Sequence, residues 1–387
     1  MSLSSRSVTE SKNCCASSST NTLQPVKDEE YLVLGESSDG FFYYNRSNSP
    51  QHMALQELLM KQHEPHAKCC QLTASGMQAI SATLHGIIIS RKNENLNLIY
   101  SDELYCDSPR LFQWIAKMFK NVTLHSINVL EKNNIIQLFE GKFAKQTNIL
   151  FFESCSNPNG NIFDFSILSK LEAASKALIT IVDNTWLTHE IFNPFTVKQV
   201  DYVVSSLTKY YSAGHCIGGM VLARSKNAMK GCTEWMIVNG NHVSPYHCEL
   251  VKEHAETIAQ RIACSSVVTK RVINEFLVKH PKVLQVNHPL CQTHPSHALM
   301  KTYFKRSKDN LVPSVFTFKV KGTKSDVLQV LKKATILDHK TSFGAKMSRT
   351  DPWPQEESGF TFVRLSVGYE DNYERIVKGL EEILSHL

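Results

Sequence analysis

Two apolar, β-branched runs in the middle of this chain stop abruptly in reactive polar residues. Ala177-Leu178-Ile179-Thr180-Ile181-Val182 ends in Asp183-Asn184-Thr185, and Tyr202-Val203-Val204 ends in Ser205-Ser206-Leu207-Thr208-Lys209. Short apolar runs without polar alternation suit strands buried on both faces, which belong to parallel sheets covered by helices. In open α/β sheets a ligand binds beyond the carboxyl ends of the strands. Hydroxyls and a lysine at such an end can meet a small anionic molecule. Gly214, Gly218 and Gly219 follow and let the backbone pass close to whatever is bound.

A lysine closing one strand is, taken alone, an ordinary solvated strand end. An acid closing another strand 26 residues earlier changes the reading. Pyridoxal phosphate chemistry requires such a pair: an amine that condenses with the cofactor aldehyde, and an acid that keeps the pyridine nitrogen protonated so that the ring accepts electrons.

With 387 residues, 42% of them apolar and 20% charged, the chain can bury one large core or two ordinary ones. No apolar run reaches the ~18 residues of a membrane span, so a soluble globular protein is expected. The net charge of +6 gathers into no basic arm or stripe, and no nucleic-acid motif is present. Eleven cysteines without an N-terminal apolar segment argue for reduced thiols in a cytosol-like compartment. His63, His66, Cys69 and Cys70 invite a zinc reading. No second ligand pair follows at finger spacing, so no metal is expected.

Residues 1–28, rich in Ser, Thr, Asn and Lys, read as a disordered tail. An aromatic stretch follows, then a helix with Met53, Leu55, Leu58 and Leu59 on its apolar side. Ser75-Gly76-Met77 opens a further helix after a short strand and offers free N–H groups suited to a phosphate. The stretch after Ser244-Pro245 reads as long helical sequence leaving the main domain, and short strands then alternate with helices.

VDNTW, SSLTKYY and GHCIGG, in that order, resemble the Cys/Met-metabolism family of pyridoxal phosphate enzymes, and the likeness runs over roughly residues 40 to 385. The resemblance implies an α/β fold of type I: a mainly parallel seven-stranded sheet flanked by helices, with a smaller α+β C-terminal domain. On that reading an arm spans 29–60 and serves the neighbouring active site, the cofactor domain spans 61–243, and the C-terminal domain spans 244–387.

Roles follow residue by residue from the same likeness. Lys209 holds the cofactor and moves protons, Asp183 pairs with the ring nitrogen, and Tyr105 stacks on the ring and exchanges a proton. Gly76 and Met77, through their backbone, and Ser206 and Thr208, through their hydroxyls, hold the phosphate. Asn157 meets the phenolic oxygen and the substrate. Tyr44 and Arg46 reach from one subunit to the phosphate of its neighbour, and Tyr44 also approaches substrate. Arg364, in FTFVRLSVGYED, clamps the substrate carboxylate, and Ser342, with Gly344 and Ser348 in TSFGAKMSR, lines the substrate mouth.

Three departures stand out. Asn48-Ser49-Pro50-Gln51 is a loose form of the family's Gly-Asn-Pro-Thr, Cys106 and Asp107 replace glycines, and Met347, after Lys346, replaces a glutamate expected to face the distal end of the substrate.

The expected activity is γ-elimination or γ-replacement on cystathionine or a homoserine-derived amino acid. Methionine or an O-acylhomoserine is the alternative substrate, and an inactive scaffold the alternative of another class. The resemblance also implies a homotetramer built as a dimer of dimers, and the cysteine content makes the cytoplasm the expected compartment. Ser385-His386-Leu387 loosely resembles a peroxisomal address, but reads more simply as the last turn of an amphipathic helix.

Overall fold

The strand runs legible in the sequence assemble into one seven-stranded sheet in the structure, a computed structural model that describes residues 48–63, 65–305, 310–357 and 359–387. The strands are β1 (Cys69–Thr73), β2 (Leu96–Ser101), β3 (Val122–Ile127), β4 (Thr147–Glu153), β5 (Ala177–Asp183), β6 (Tyr202–Ser206) and β7 (Gly219–Ala223). Their spatial order is β1-β7-β6-β5-β4-β2-β3. β7 runs antiparallel to β1 and β6, and the other pairings are parallel.

The alternation along each strand feeds two cores. Ile149 and Phe151 of β4 pack on one face with Leu98, Ile181 and Val204, while Leu150 and Phe152 pack on the other with Ile99, Val182 and Val203. All seven residues of β4 are buried, as a central strand covered on both sides must be.

The associated helices are α1 (Pro50–Gln62), α2 (Gly76–Ser90), α3 (Asp107–Met118), α4 (Lys132–Glu140), α5 (Leu168–Ala174), α6 (Thr188–Ile191) and α7 (Lys226–Val238). In α1 the buried face is set by His52, Leu55 and Leu59, with His52 Nε2 2.8 Å from the Val243 carbonyl. Met53, expected on that face, is 37% exposed, because the stripe runs one position earlier than its apolar residues suggest.

The long helical sequence after Ser244 is two helices, α8 (Pro245–Glu256) and α9 (Ile258–Arg271), parted at Thr257. Beyond them come α10 (His297–Tyr303), α11 (Lys324–Lys333), α12 (Tyr373–Ser385) and strands β8 (Gln285–Asn287), β9 (Val315–Lys321), β10 (Asp338–His339), β11 (Arg349–Glu357) and β12 (Phe360–Ser366). These strands form a second sheet in the order β10-β11-β12-β9-β8. Phe316, Phe318, Val363, Leu365, Ile376 and Leu380 form its core.

The C-terminal tripeptide completes the last turn of α12. Lys282 Nζ donates 2.8 Å to the Leu384 carbonyl, the partner expected of a cation at a helix C-terminus. Tyr44, Arg46 and the rest of residues 1–47 lie outside the described residues.

Cys69 and Cys70 lie within β1, and the Cys69 thiol donates to the Ser225 carbonyl at 3.2 Å, while the His63 ring lies 5.0 Å from that of His189. Among the described residues no group of three His, Cys, Asp or Glu is arranged to hold a metal, and no helix is long and apolar enough to cross a membrane.

Candidate active site

The carboxyl ends of β4, β5 and β6 lie side by side, so the residues that close them share one place. Glu153 stands opposite Asp183, and Asp183 opposite Val204, in the parallel registers. A cavity of about 370 Å³ opens there. Every described candidate lines it: Gly76, Met77, Tyr105, Asn157, Asp183, Ser206, Thr208, Lys209, Ser342 and Arg364. The chain thus gathers residues nearly 300 positions apart, and the second sheet supplies one wall.

Lys209 enters from the loop after β6. Its Nζ donates to Ser342 Oγ at 2.9 Å and lies 5.2 Å from the centre of the Phe343 ring. Burial, followed by the charges of Arg364 and Arg349, lowers its pKa to about 8. An amine so poised is a nucleophile and a proton acceptor near neutral pH, which an exposed lysine is not.

Asp183 ends β5. Thr185 donates to its Oδ1 twice, from the backbone at 2.9 Å and from the hydroxyl at 2.6 Å. The other carboxylate oxygen is left for a ligand. Burial raises the carboxyl's proton affinity, and the two Thr185 bonds oppose that rise. The Thr185 hydroxyl also accepts the Ser206 N–H at 2.9 Å, which ties the acid to the next strand end.

An anion cradle forms where α2 begins. Ser75 caps the helix by accepting the Gln78 N–H at 3.2 Å. The N–H groups of the first turn have no carbonyl partner within the helix, and the helix dipole favours negative charge there. Gly76 is required by closeness: a Cβ would sit 2.9 Å from Ser206 Cβ. Thr208 closes the other side, its Oγ accepting the Gly218 N–H at 3.2 Å.

Tyr105 and Asn157 come from the loops after β2 and β4. Tyr105 is 41% exposed, and burial together with Asp107 and Cys106 raises its phenol pKa, so it carries its proton at neutral pH. The Asn157 side-chain oxygen is buried and has no hydrogen-bond partner among the described residues. A buried amide oxygen in this state calls for a partner, and this one belongs to a residue that lines the cavity.

Arg364, on β12, is buried, and its guanidinium lies over the Trp353 ring at 4.3 Å. It donates to Thr341 Oγ at 2.9 Å and pairs with Asp351 at 3.3 Å, its register partner across β11. The remaining N–H groups are available to a carboxylate.

From the TSFGAKMSR segment the wall takes Thr341, Ser342 and Phe343, whereas Met347 turns its backbone toward Gly368, where a Cβ would meet the Met347 carbonyl carbon at 2.4 Å. Lys346 pairs with Glu370 at 2.6 Å. Gly344, at φ +78, lets the segment press on the lysine loop, since a Cβ there would sit 2.8 Å from the Lys209 carbonyl carbon.

Sequence reasoning gave no role to Glu153, Thr185, Asp351 or Trp353. Glu153 carried the same signal as Asp183, an acid closing a fully buried strand, but Asp351 and Trp353 acquire meaning only through the pairing of β11 with β12.

Pyridoxal phosphate fits these residues. The cradle takes its phosphate, the Asn157 amide lines the cavity where its NH₂ can donate to the phenolic oxygen, the free Asp183 oxygen suits the ring nitrogen, and Lys209 is the amine that its aldehyde needs.

Comparison with known proteins agrees. L-methionine gamma-lyase of Fusobacterium nucleatum subsp. polymorphum is 29% identical over 366 residues, which cover 89% of this chain and 87% of that protein. The chloroplastic cystathionine beta-lyase of Arabidopsis thaliana is 26% identical, with 89% and 70% covered. Cystathionine gamma synthase of Xanthomonas oryzae pv. oryzae, solved with aminoacrylate and cysteine, superposes with a TM-score of 0.77 at 23% identity, with 92% of each chain covered. Residues 3–384 match the family described as Cys/Met metabolism PLP-dependent enzyme, and the chain belongs to that family.

Proposed function

We propose that this enzyme removes or replaces the γ-substituent of an α-amino acid whose side chain ends in an uncharged thioether or ester, with methionine as the leading substrate and O-acylhomoserine next. The observation that carries this choice is the aromatic part of the cavity lining: Trp353 lies against Arg364, Phe343 beside the Lys209 amine, and the Trp186 ring 6.0 Å from that of Phe343. An uncharged chain gains about 25 cal/mol per Å² buried against those rings. The homology to a methionine gamma-lyase supports the same choice.

In this reading Arg364 binds the α-carboxylate and Ser342 assists. Bound pyridoxal phosphate supplies an aldehyde carbon that captures the amino group and a ring that accepts the electrons of the broken Cα–H bond. Lys209, freed as an amine, takes the α-proton, and its lowered pKa suits it to the task. Asp183 keeps positive charge on the ring nitrogen. Tyr105 retains its phenolic proton and delivers it to the departing γ-group, and in a replacement the phenolate so formed takes the proton of the incoming nucleophile.

Gly76, Met77, Ser206 and Thr208 hold the phosphate, and Asn157 holds the phenolic oxygen. The fold of residues 61–243 forms the cofactor domain and 244–387 the cap. Tyr44 and Arg46 complete the site of a neighbouring subunit in a tetramer, and Arg46→Ala therefore weakens cofactor retention. The cytoplasm is the proposed compartment.

The test is product analysis with methionine, O-acetylhomoserine and cystathionine at equal concentration. Release of methanethiol and 2-oxobutyrate from methionine in preference to cleavage of cystathionine supports the reading. Preference for cystathionine overturns the substrate choice and leaves the family chemistry intact.

A further inference from the structure

A single buried carboxylate joins the two loops that carry Tyr105 and Asn157. Glu153 closes β4 and lines the cavity wall. Its Oε1 accepts the Tyr105 N–H at 2.6 Å, and its Oε2 accepts the Asn157 N–H at 3.0 Å. Each oxygen thus fixes the backbone of one residue proposed to touch the cofactor.

Glu103 braces the same loops from the other side. It precedes Tyr105, and its Oε1 accepts the Asn159 N–H at 2.8 Å while its Oε2 accepts from Asn161 Nδ2 at 2.5 Å. One acid reaches from the strand end to the tyrosine loop, and the other reaches back from the tyrosine loop to the asparagine loop.

We infer that Glu153 is a positioning residue which holds Tyr105 and Asn157 in fixed register for the bound cofactor, with Glu103 as its counter-brace. The inference rests on the cavity being the pyridoxal phosphate site. A simpler role, filling two backbone donors so that the loops fold, makes a different demand. Such a role stabilises the protein equally with and without cofactor, whereas positioning shows in the bound state.

Burial and the neighbouring Asp183 carboxylate raise the proton affinity of Glu153, and its two backbone partners lower it. Both oxygens face N–H donors, so the group acts as an acceptor on each side. A glutamine of the same shape can accept from one N–H and must set its own NH₂ against the other. Charge-assisted acceptance is also lost on both sides.

The experiment compares wild type, Glu153→Gln and Lys209→Ala as pyridoxal phosphate holoenzymes and as apoproteins. Cofactor release is followed by dialysis, ring orientation by circular dichroism of the visible band, and stability by melting. Glu153→Gln is expected to stay yellow, to release cofactor about tenfold faster and to lose much of its visible dichroism, with a fall in melting temperature that is larger for the holoenzyme than for the apoprotein. Unchanged release and dichroism, or an equal fall in apo and holo melting temperatures, overturns the inference.

Lys209→Ala separates the two claims. If wild type is yellow and Lys209→Ala is not, the cofactor site stands and the Glu153 result decides the positioning role alone. If wild type binds no cofactor, the site reading fails and the inference falls with it. Should Glu153→Gln fail to fold, Glu103→Gln carries the same expected and contradicting results, because it frees the Asn157 loop from the opposite brace.

Discussion

Lys209 Nζ donates to Ser342 Oγ at 2.9 Å, a bond that joins the loop after β6 to the segment that leads into β11. Ser342 sits at φ +80, a conformation that costs a non-glycine residue on the order of 1–3 kcal/mol and persists only where the surroundings enforce it. Gly344 pressing on the lysine loop and Phe343 beneath the amine provide that enforcement. The amine is therefore held at the junction of the two sheets.

The lowered pKa of Lys209 makes stability depend on pH. The unfolded amine titrates near 10.5 and the folded one near 8, so between those values the unfolded apoprotein binds more protons and stability rises with pH. Below pH 8 the full cost of the buried charge is present. Lys209→Met is expected to stabilise the apoprotein at pH 7 by on the order of 1–3 kcal/mol, and the advantage should shrink from pH 8 to 10. Denaturant titration across that range checks it, and a pH-independent difference contradicts it.

Arg364 tests the carboxylate clamp. Arg364→Lys keeps the charge but loses the planar fork and its stacking on Trp353, so KM for the amino acid should rise about tenfold or more, with cofactor content unchanged. Steady-state kinetics with a spectroscopic cofactor count decides it. An unaltered KM places the carboxylate elsewhere.

Asp183→Asn tests the ring acid. The amide keeps the shape and, through its oxygen, both Thr185 bonds but removes the charge, and turnover should fall about 10²–10³-fold while cofactor still binds. A variant with near-normal turnover denies Asp183 that role.

Gly76→Ala tests the cradle. The added carbon lands 2.9 Å from Ser206 Cβ, and the strand end must move away. Cofactor affinity should weaken by about 1–3 kcal/mol, read as the concentration needed to reconstitute the apoprotein, and an unchanged value moves the phosphate away from α2.

Much of the fold and of the site is legible in the sequence because the chemistry sits where strands end. Asp183, Lys209 and the start of α2 lie in contiguous motifs whose local pattern sets their geometry; the apolar runs imply buried parallel strands, and the family resemblance implied the seven-stranded sheet that they form. The remainder depends on tertiary placement. Asp351 and Trp353 reach Arg364 only through cross-strand pairing, and the packing of the Met347 backbone on Gly368 joins segments some 20 residues apart. The buried face of α1 excludes Met53 because a hydrogen-bonded histidine, His52, takes the inward position.

The central claim is that Lys209 holds pyridoxal phosphate at the ends of β4, β5 and β6. The visible absorption spectrum of protein purified with the cofactor, wild type beside Lys209→Ala, tests it most directly. The account predicts a yellow wild type whose band shifts on addition of methionine, and a Lys209→Ala variant without the lysine-bound band. A colourless wild type that cannot be reconstituted, or a variant with the same spectrum as wild type, contradicts it.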